Sequence, residues 1–146
     1  MSLTGVWMNE LNSVMILNEH TDKGLTGKYR SMVGRDPNVR DLSGRTSALD
    51  GEKQMVAFAV CFEIAEPGRG EGHSSVCAWS GWSEKDGTGK YAMETHWLLS
   101  GSVLDKQAEW SATKIGKSIF QKVLEIPDEK VLTDDDALKK LHNSLI

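Results

Sequence analysis

The residues of this chain that could take part in chemistry are mainly aromatic rings and hydroxyl groups. Tryptophan contributes five of the aromatic residues, against three phenylalanines and two tyrosines. Alternate side chains of a β-strand share a face, and this alternation turns Trp79, Trp97 and Tyr29 inward together with several serines. Such a face suits a small neutral heterocyclic ligand, because it offers apolar walls and a few fixed donors and acceptors. The alternative is a packed core whose serines bond to the local backbone, and the alternation alone does not decide between the two.

A catalytic site built on cysteine is a second kind of chemistry to consider. Cys77 would need His73 or His96 as its base, but the alternation turns His96 outward and places His73 in a loop of residues 65–73. The inward set supplies hydroxyls, rings, an amide and one thiol, without a pair of titratable groups for acid–base work. The sequence therefore predicts a binding protein and not an enzyme, with no catalytic residue, metal ion or cofactor.

The two cysteines are predicted to remain free thiols. They are too few for a disulfide scaffold and lack the spacing of a metal site. Cys77 shares the face of Trp79, whereas Cys61 lies on the face opposite to Phe62. Side chains on opposite faces of a sheet cannot bring their Cβ atoms within the roughly 4.5 Å that a disulfide requires.

The elements that must position these residues are eight short segments with strand-like composition, separated by turn residues such as Asp-Gly. Every connection is short enough for neighbours in sequence to pair. The sequence therefore predicts an all-β fold, an eight-stranded antiparallel up-and-down β-barrel closed on itself. The predicted segments are 5–10, 13–19, 26–33, 40–48, 54–64, 74–82, 90–99 and 109–123.

Residues 124–146 differ in character from the predicted barrel at residues 1–123. The stretch TDDDALKKLHNSLI has the pattern of a short helix with Thr133 at the N-cap and aspartates in the first turn, where the helix dipole favours them. The apolar positions of this helix form one stripe, which consists of Leu138, Leu141 and Leu145. The stripe predicts a C-terminal helix that packs on the barrel wall or frays, and a helix that joins subunits is the alternative.

Composition restricts the class of protein further. A chain of 146 residues is typical of one domain. The net charge of −4 and the pI near 5.6 argue against a nucleic-acid partner, because nucleic-acid binding usually needs a basic face. No apolar run approaches the roughly 18 residues of a membrane helix, so no membrane partner is expected. No charged and apolar signal precedes the first strand, and the compartment is left unknown.

Several stretches of the chain occur in the order in which a known family carries them. They are LTGVWMNELNSVM (3–15), GLTGKYRSMVG (24–34), DLSGR (41–45), WSG (79–81), THWLLS (95–100) and W-x-x-T-x-x-G-x-x-x-F from Trp110 to Phe120. Over residues 3–123 the chain resembles the avidin and streptavidin family of biotin-binding proteins, and it is most similar to the streptavidin-like and fungal branch. The ordered set is specific, whereas a single piece such as LTG is not. Eight-stranded barrels of the streptavidin kind hold one small ligand.

The resemblance implies roles for the polar residues at one end of the barrel. Asn9, Ser13 and Tyr29 match the groups that donate hydrogen bonds to the ureido oxygen of biotin. Ser31 matches the group that accepts from one ureido N–H. Ser118 lies where family members usually carry Asp or Asn to accept from the other N–H.

The resemblance also implies apolar walls and a mouth. Trp79 and Trp97 match ring walls, and Phe62 lies where tryptophan is common. At the mouth, the backbone of Gly34 and Arg35 in a lid loop is expected to meet the ligand carboxylate. The hydroxyl of Ser75 is expected to reach the same carboxylate. The remaining residues of the expected lining are Leu11, Val33, Cys77 and Leu99.

Three departures from the family pattern predict weaker binding than that of the tightest members. Ser118 carries no charge, and charge-assisted hydrogen bonds are roughly twice as strong as neutral ones. Cys77 lies where a threonine hydroxyl usually faces the ligand sulfur, and a thiol is a weaker donor. Phe62 offers less ring area than tryptophan.

Trp110 matches the ring that covers the ligand of a neighbouring subunit, which implies a homotetramer with shared sites. Two other functions stay open. One is a barrel that binds another small ligand, as lipocalin-like barrels do. The other is a barrel that has lost its ligand and serves as an interaction or structural protein.

Overall fold

The computed structural model describes residues 2–32, 36–65, 72–101 and 113–146. Within these ranges, antiparallel strands close into one barrel in which each strand pairs with its sequence neighbours and the last pairs with the first. The predicted eight-stranded up-and-down barrel is therefore confirmed. The strands are β1 (Gly5–Asn9), β2 (Val14–Glu19), β3 (Gly24–Arg30), β4 (Arg40–Thr46), β5 (Gln54–Ala65), β6 (Gly72–Lys85), β7 (Tyr91–Gly101) and β8 (Thr113–Leu124).

Alternation along each strand separates the interior of the barrel from its surface. In β5, Phe58 and Val60 are buried, whereas Ala57 and Cys61 are exposed. Directly opposite residues of neighbouring strands share a face, so Phe58 meets Trp79 of β6 inside the barrel. The faces predicted from the sequence are those that the barrel adopts.

Large apolar side chains fill the half of the barrel that contains the chain segment before β1. Trp7 is fully buried, and its indole nitrogen Nε1 donates to the carbonyl oxygen of Leu3 over 2.9 Å. This pairing satisfies the polar atom of a ring that otherwise serves as apolar bulk. Other fully buried members of this core are Met15, Leu17, Met93 and Phe120.

Strand ends differ from the sequence prediction at several turns. β3 begins at Gly24 and not at residue 26, because Lys23 adopts a left-handed φ of 71° and lets the His20 nitrogen donate to the Gly24 carbonyl over 2.9 Å. β6 begins at Gly72, so His73 pairs with Ile64 within the sheet. The expectation that His73 lies in a loop is therefore wrong, because pairing of β5 with β6 continues beyond the residues whose alternation is visible in the sequence.

The C-terminal segment forms a 3₁₀ turn at Glu129–Leu132 and a helix, α1, at Asp135–Leu145. The predicted N-cap was Thr133, but the side chain of Asp134 caps the helix, accepting from the backbone nitrogens of Asp136 and Ala137. Thr133 instead ends the 3₁₀ turn, where its own N–H donates to Lys130. A carboxylate at the N-cap accepts better than a hydroxyl and also faces the positive end of the helix dipole.

Helix α1 packs on the outer wall of the barrel, as the apolar stripe predicts. Leu138 is fully buried against Val6 of β1 and against Val14 and Ile16 of β2, and Leu141 and Leu145 lie half-buried beside them. In the described ranges, no helix has both the length and the apolar character needed to cross a membrane.

Candidate ligand-binding site

One cavity of about 320 Å³ opens at the end of the barrel where β1 and β3 end and β6 begins. Each residue that the sequence predicted for the lining, and that the structure describes, lies around it. One residue that was not predicted, Asp36, joins them. The lining consists of Asn9, Leu11, Ser13, Tyr29, Ser31, Asp36, Phe62, Ser75, Cys77, Trp79, Trp97, Leu99 and Ser118.

The turn between β1 and β2 is built around the side chain of Asn9. Its oxygen Oδ1 accepts from the backbone nitrogens of Leu11 and Ser13, each at 3.0 Å. Asn12 within this turn has a left-handed φ of 63°, a conformation that asparagine tolerates better than most residues. Because the oxygen of Asn9 is used by the backbone, its NH₂ group is the part of the amide that remains for the cavity.

The hydroxyls of Ser13 and Tyr29 converge with the Asn9 amide. Ser13 is fully buried, and its Oγ accepts from the backbone nitrogen of Met32 over 3.0 Å. The side chains of Ser13 and Asn9 both form hydrogen bonds with the Tyr29 hydroxyl. Three polar groups that can donate are thus collected at one buried point, where hydrogen bonds are stronger than in water.

Burial raises the pKa of Tyr29 to about 12, and the hydrogen bonds from Ser13 and Asn9 oppose this increase only in part. Desolvation disfavours the phenolate, so the phenol keeps its proton at all physiological pH values. Tyr29 is therefore a permanent O–H donor in this site.

Stacked and tilted rings form the wall above this polar point. The ring centroid of Trp79 lies 5.1 Å from that of Tyr29, which is tilted against it, and 5.1 Å from that of Phe58, which stacks with it. Phe62 meets Tyr29 edge to face at 5.9 Å. The indole nitrogen of Trp79 is buried and has no hydrogen-bond partner in the described part of the chain. The ring contacts with Tyr29 and Phe58 hold Trp79 in one orientation, and this favours a preformed wall.

Trp97 owes its position to a glycine on the next strand. Trp97 of β7 is paired directly with Gly116 of β8. A Cβ atom at position 116 would lie 2.1 Å from the Cζ2 atom of the indole ring. The ring therefore occupies the space that any other side chain at position 116 would need.

Ser118 and Cys77 occupy the β6 to β8 side of the cavity. Ser118 is paired with Thr95, whose hydroxyl donates to the Ser118 carbonyl over 2.8 Å. Burial raises the pKa of the Cys77 thiol to about 12, so this sulfur is protonated and poorly nucleophilic. Cys61 is exposed on the outer face, and both cysteines are free, as predicted. His96 is exposed, also as predicted.

Asp36 is the lining residue that sequence reasoning missed. It is only 6% exposed, and its two carboxylate oxygens accept from Arg40 at 2.7 and 3.3 Å. Burial would raise the pKa of Asp36, but the hydrogen bonds from Arg40 and from the backbone of Asn38 outweigh it and hold the pKa below its usual value. Arg40 also donates to the Glu63 carbonyl over 2.6 Å, which joins β4 to β5. No local pattern in the sequence indicates this burial.

Four predicted site residues, Val33, Gly34, Arg35 and Trp110, lie outside the described residues. In the described part of the chain, no group of three or more His, Cys, Asp or Glu side chains is arranged to hold a metal ion. The polar groups that the cavity does present are neutral hydroxyls and amides, apart from the paired Asp36. This chemistry suits recognition of a neutral polar group by hydrogen bonds.

The fold and the cavity together define a β-barrel that carries a binding site for a small molecule at one end. A model of the avidin family matches residues 1–123 of the chain. Avidin of Gallus gallus is 31% identical over 127 residues, which cover 84% of this chain and 78% of that protein. Avidin-related protein 4/5 of Gallus gallus is 28% identical over 130 residues, which cover 87% of this chain and 81% of that protein.

The crystal structure of Xenavidin has the same fold, with a TM-score of 0.70 at 24% identity, over 84% of this chain and 97% of that one. The chain belongs to the avidin family. Members of this family are binding proteins. The range matched by the family model ends at residue 123, one residue before the end of β8, so helix α1 lies outside that range.

Proposed function

We propose that the cavity binds biotin non-covalently. The observation that carries this proposal is the convergence of Asn9, Ser13 and Tyr29 at the buried polar end of a ring-walled cavity. A ureido carbonyl oxygen has the lone pairs to accept from several donors at once. In a dry site those bonds polarise the carbonyl and strengthen one another.

The rest of the ligand fits the rest of the lining. Ser31 and Ser118 supply hydroxyl oxygens that accept from the two ureido N–H groups. Trp79 and Trp97 enclose the bicyclic ring system of biotin. Burial of the apolar surface of that ring system contributes most to affinity. At the mouth, Ser75 and the backbone of Gly34 and Arg35 bind the carboxylate of the ligand tail.

The affinity we propose lies below that of the tightest members of the family. Ser118 accepts without a formal charge, and loss of one charge-assisted hydrogen bond corresponds to about 1–3 kcal/mol, or roughly one to two factors of ten in Kd. The protonated thiol of Cys77 is a weak donor toward the ligand sulfur. Phe62 presents a smaller ring than an indole.

A carrier of a fatty or otherwise apolar ligand is the alternative within the same broad class. The buried polar end disfavours it, since an aliphatic chain offers no acceptor to the remaining donors of Asn9, Ser13 and Tyr29, and a buried donor that loses its water without gaining an acceptor is unfavourable. A barrel that has lost its ligand and serves in protein interactions is the alternative from another class. The neutral residue at position 118 is the feature that favours this second alternative.

We also propose that the chain assembles as a homotetramer in which Trp110 covers the cavity of a neighbouring subunit. The outer face of β6 to β8 supports self-association, because it exposes large apolar side chains that are unusual on a monomer surface. The exposed side chains in this area are Val76, Leu98, Ile115 and Ile119. Light scattering should give four times the chain mass, and Trp110→Lys should reduce both that mass and the residence time of biotin.

Calorimetric titration of the full chain with biotin, with light scattering on the same sample, tests the proposal. Biotin should release heat with one site per chain and should raise Tm. A long-chain fatty acid is the matched comparison ligand, since it has the carboxylate and an apolar body without the urea. Absence of heat and of a Tm shift with biotin would overturn the proposal, and binding of the fatty acid alone would establish the alternative carrier function.

A further inference from the structure

Helix α1 reaches the ligand cavity through one buried histidine. His142 is fully buried, and its Nε2 atom lies 2.6 Å from the carbonyl oxygen of Asn12. A carbonyl oxygen only accepts, so Nε2 carries the proton and donates. Asn12 directly precedes Ser13, so the helix holds the outside of the turn whose inside is held by the Asn9 side chain.

The other ring nitrogen of His142 faces the strand that carries Tyr29. The Nδ1 atom lies 3.3 Å from Nη1 of Arg30, the residue that follows Tyr29. With Nε2 donating, the neutral ring accepts at Nδ1 from the guanidinium. Arg30 also donates to the Asn143 side chain over 3.1 Å and to the Pro37 carbonyl over 3.3 Å. The last turn of α1 is thereby joined to β3 and to the loop that follows it.

Apolar contacts keep the helix in register for these hydrogen bonds. Leu138, one turn before His142, is fully buried against the outer faces of β1 and β2. At the start of the helix, Asp135 lies 3.8 Å from the Lys28 ammonium. The helix is thus anchored at its first turn and at its middle, and its last turn contacts the chain neighbours of Ser13 and Tyr29.

We infer that α1 is a latch that sets how long the cavity holds its ligand, with His142 as a positioning residue for the donors Ser13 and Tyr29. This inference rests on the proposed binding of biotin. The latch acts by limiting motion of the β1–β2 turn, since a donor held in place loses less entropy when the ligand binds. Release of the latch leaves the barrel intact and loosens its polar end.

The latch is sensitive to acid. Burial lowers the pKa of His142 below its ordinary value of 6.5, and the positive charge of Arg30 adds to this effect, while the bond to Asn12 opposes it. Protonation would place a new N–H at Nδ1 against the guanidinium of Arg30, which is the charged group that faces the ring from β3. The neutral neighbours of the His142 ring are Asn12 and Asn143. The docked helix favours the neutral ring of His142. The contribution of His142 to docking is therefore full above about pH 6.5 and is lost as the pH falls below that value.

The experiment measures the rate at which the full chain releases a fluorophore-labelled biotin when excess unlabelled biotin is present. The rate is measured at about pH 7.5 and at about pH 5.5, which lie on either side of the ordinary histidine pKa. His142→Ala removes the donor and should speed release roughly three- to tenfold at the higher pH. His142→Gln keeps an amide donor toward Asn12 but cannot titrate in this range. It should release biotin as slowly as the parent at the higher pH, and it should lack the acceleration that the parent shows at the lower pH.

Lys140→Ala is the matched control, because Lys140 lies on the exposed face of the same helix. Release that is unchanged by His142→Ala, or that has the same pH profile in His142→Gln as in the parent, overturns the latch. Should His142→Ala fail to fold, the pH profile of His142→Gln decides alone.

Hydrogen exchange separates this inference from the proposed function. The amides of Leu11 and Ser13, which donate to Asn9, should exchange faster in His142→Ala than in the parent without any ligand present. If the parent binds no biotin, the proposed function is wrong, and the inference that the latch controls biotin release is wrong with it. Accelerated exchange in that case still shows that α1 orders the turn, and unchanged exchange shows that it does not.

Discussion

The side-chain oxygen of Asn9 lies 3.0 Å from the backbone nitrogen of Ser13, four residues further along the chain. The same oxygen accepts from Leu11, so one amide group closes the turn between β1 and β2. This arrangement assigns the two ends of the amide to different tasks. The oxygen stabilises the turn, and the nitrogen serves the Tyr29 hydroxyl and the cavity.

Asn9→Asp should separate these two tasks. The carboxylate keeps an oxygen for the backbone of Leu11 and Ser13, so Tm should fall less than it does in Asn9→Ala, although the added charge is buried. It replaces the NH₂ donor by a second negative oxygen, which repels a ureido oxygen, and biotin affinity should fall by roughly 100-fold or more. Calorimetric titration and thermal unfolding measure the two effects.

Asn9→Ala is the comparison for that variant. It removes both ends of the amide and leaves two backbone N–H groups without their acceptor, so the free energy of unfolding should fall by about 1–3 kcal/mol in addition to the loss of affinity. Parent-like biotin affinity in Asn9→Asp would show that the Asn9 nitrogen does not contact the ligand.

Ser118→Asp should strengthen biotin binding by roughly ten- to 100-fold, because a carboxylate accepts a charge-assisted hydrogen bond from the ureido N–H. The same change should lower Tm of the ligand-free protein, since Ser118 is only 5% exposed and an unpaired buried charge is unfavourable. Ser118→Asn is the control, because it has a similar size without the charge. Equal affinities of the Asp and Asn variants would contradict the role of charge at this position.

Gly116→Ala should weaken binding by about tenfold or more, because the new Cβ would overlap the indole of Trp97 and move it into the cavity. A change in tryptophan fluorescence should accompany the loss. Gly87→Ala is the control, since a Cβ at Gly87 meets no atom within 4 Å and its φ is not in the left-handed region. Unaltered fluorescence and affinity in Gly116→Ala would show that Trp97 does not depend on this close approach.

The buried phenol of Tyr29 should contribute to the alkaline limit of the protein, together with the buried thiol of Cys77. The pKa of Tyr29 in the folded state, about 12, is raised above the ordinary 10.0, mainly by burial. The contribution of this group to stability is therefore complete below about pH 10 and is lost as the pH rises through 12. The part of Tm that depends on Tyr29, taken as the difference between the parent and Tyr29→Phe, should be constant up to about pH 10.0 and decline above it. Biotin affinity should stay constant until the pH approaches about 12, because only then does the phenol of the folded protein ionise.

Ultraviolet titration of the parent minus that of Tyr29→Phe gives the ionisation of Tyr29 directly. A midpoint near 10 in this difference would contradict burial of the phenol. At neutral pH, Tyr29→Phe should reduce biotin affinity roughly ten- to 100-fold, because the ureido oxygen loses one donor.

The sequence predicted the faces of the strands better than their ends. Alternation assigned Cys61 to the surface and Cys77 to the interior, and both assignments hold, because the pleat of a strand is a local property. The ends of elements depend on longer pairing. β6 extends back to Gly72 since β5 offers it partners, and Asp134 caps α1 since Thr133 ends the preceding 3₁₀ turn.

Asp36 shows why one part of the site was not predicted. Nothing in its local sequence indicates burial, and an aspartate beside a proline is typical of an exposed turn. Its burial depends on Arg40, which is itself held by the carbonyl of Glu63 on another strand.

By itself the sequence determined that this chain is a single closed barrel of the avidin family. It also determined which alternate side chains share the interior of the barrel. Both follow from local features of the chain, namely the pleating of the backbone and the ordered motifs. Only the tertiary structure decided that His142 contacts Asn12, 130 residues earlier, and that the indole of Trp97 lies over Gly116. Those contacts depend on how the barrel closes and where the helix docks, and both result from packing among residues far apart in the sequence.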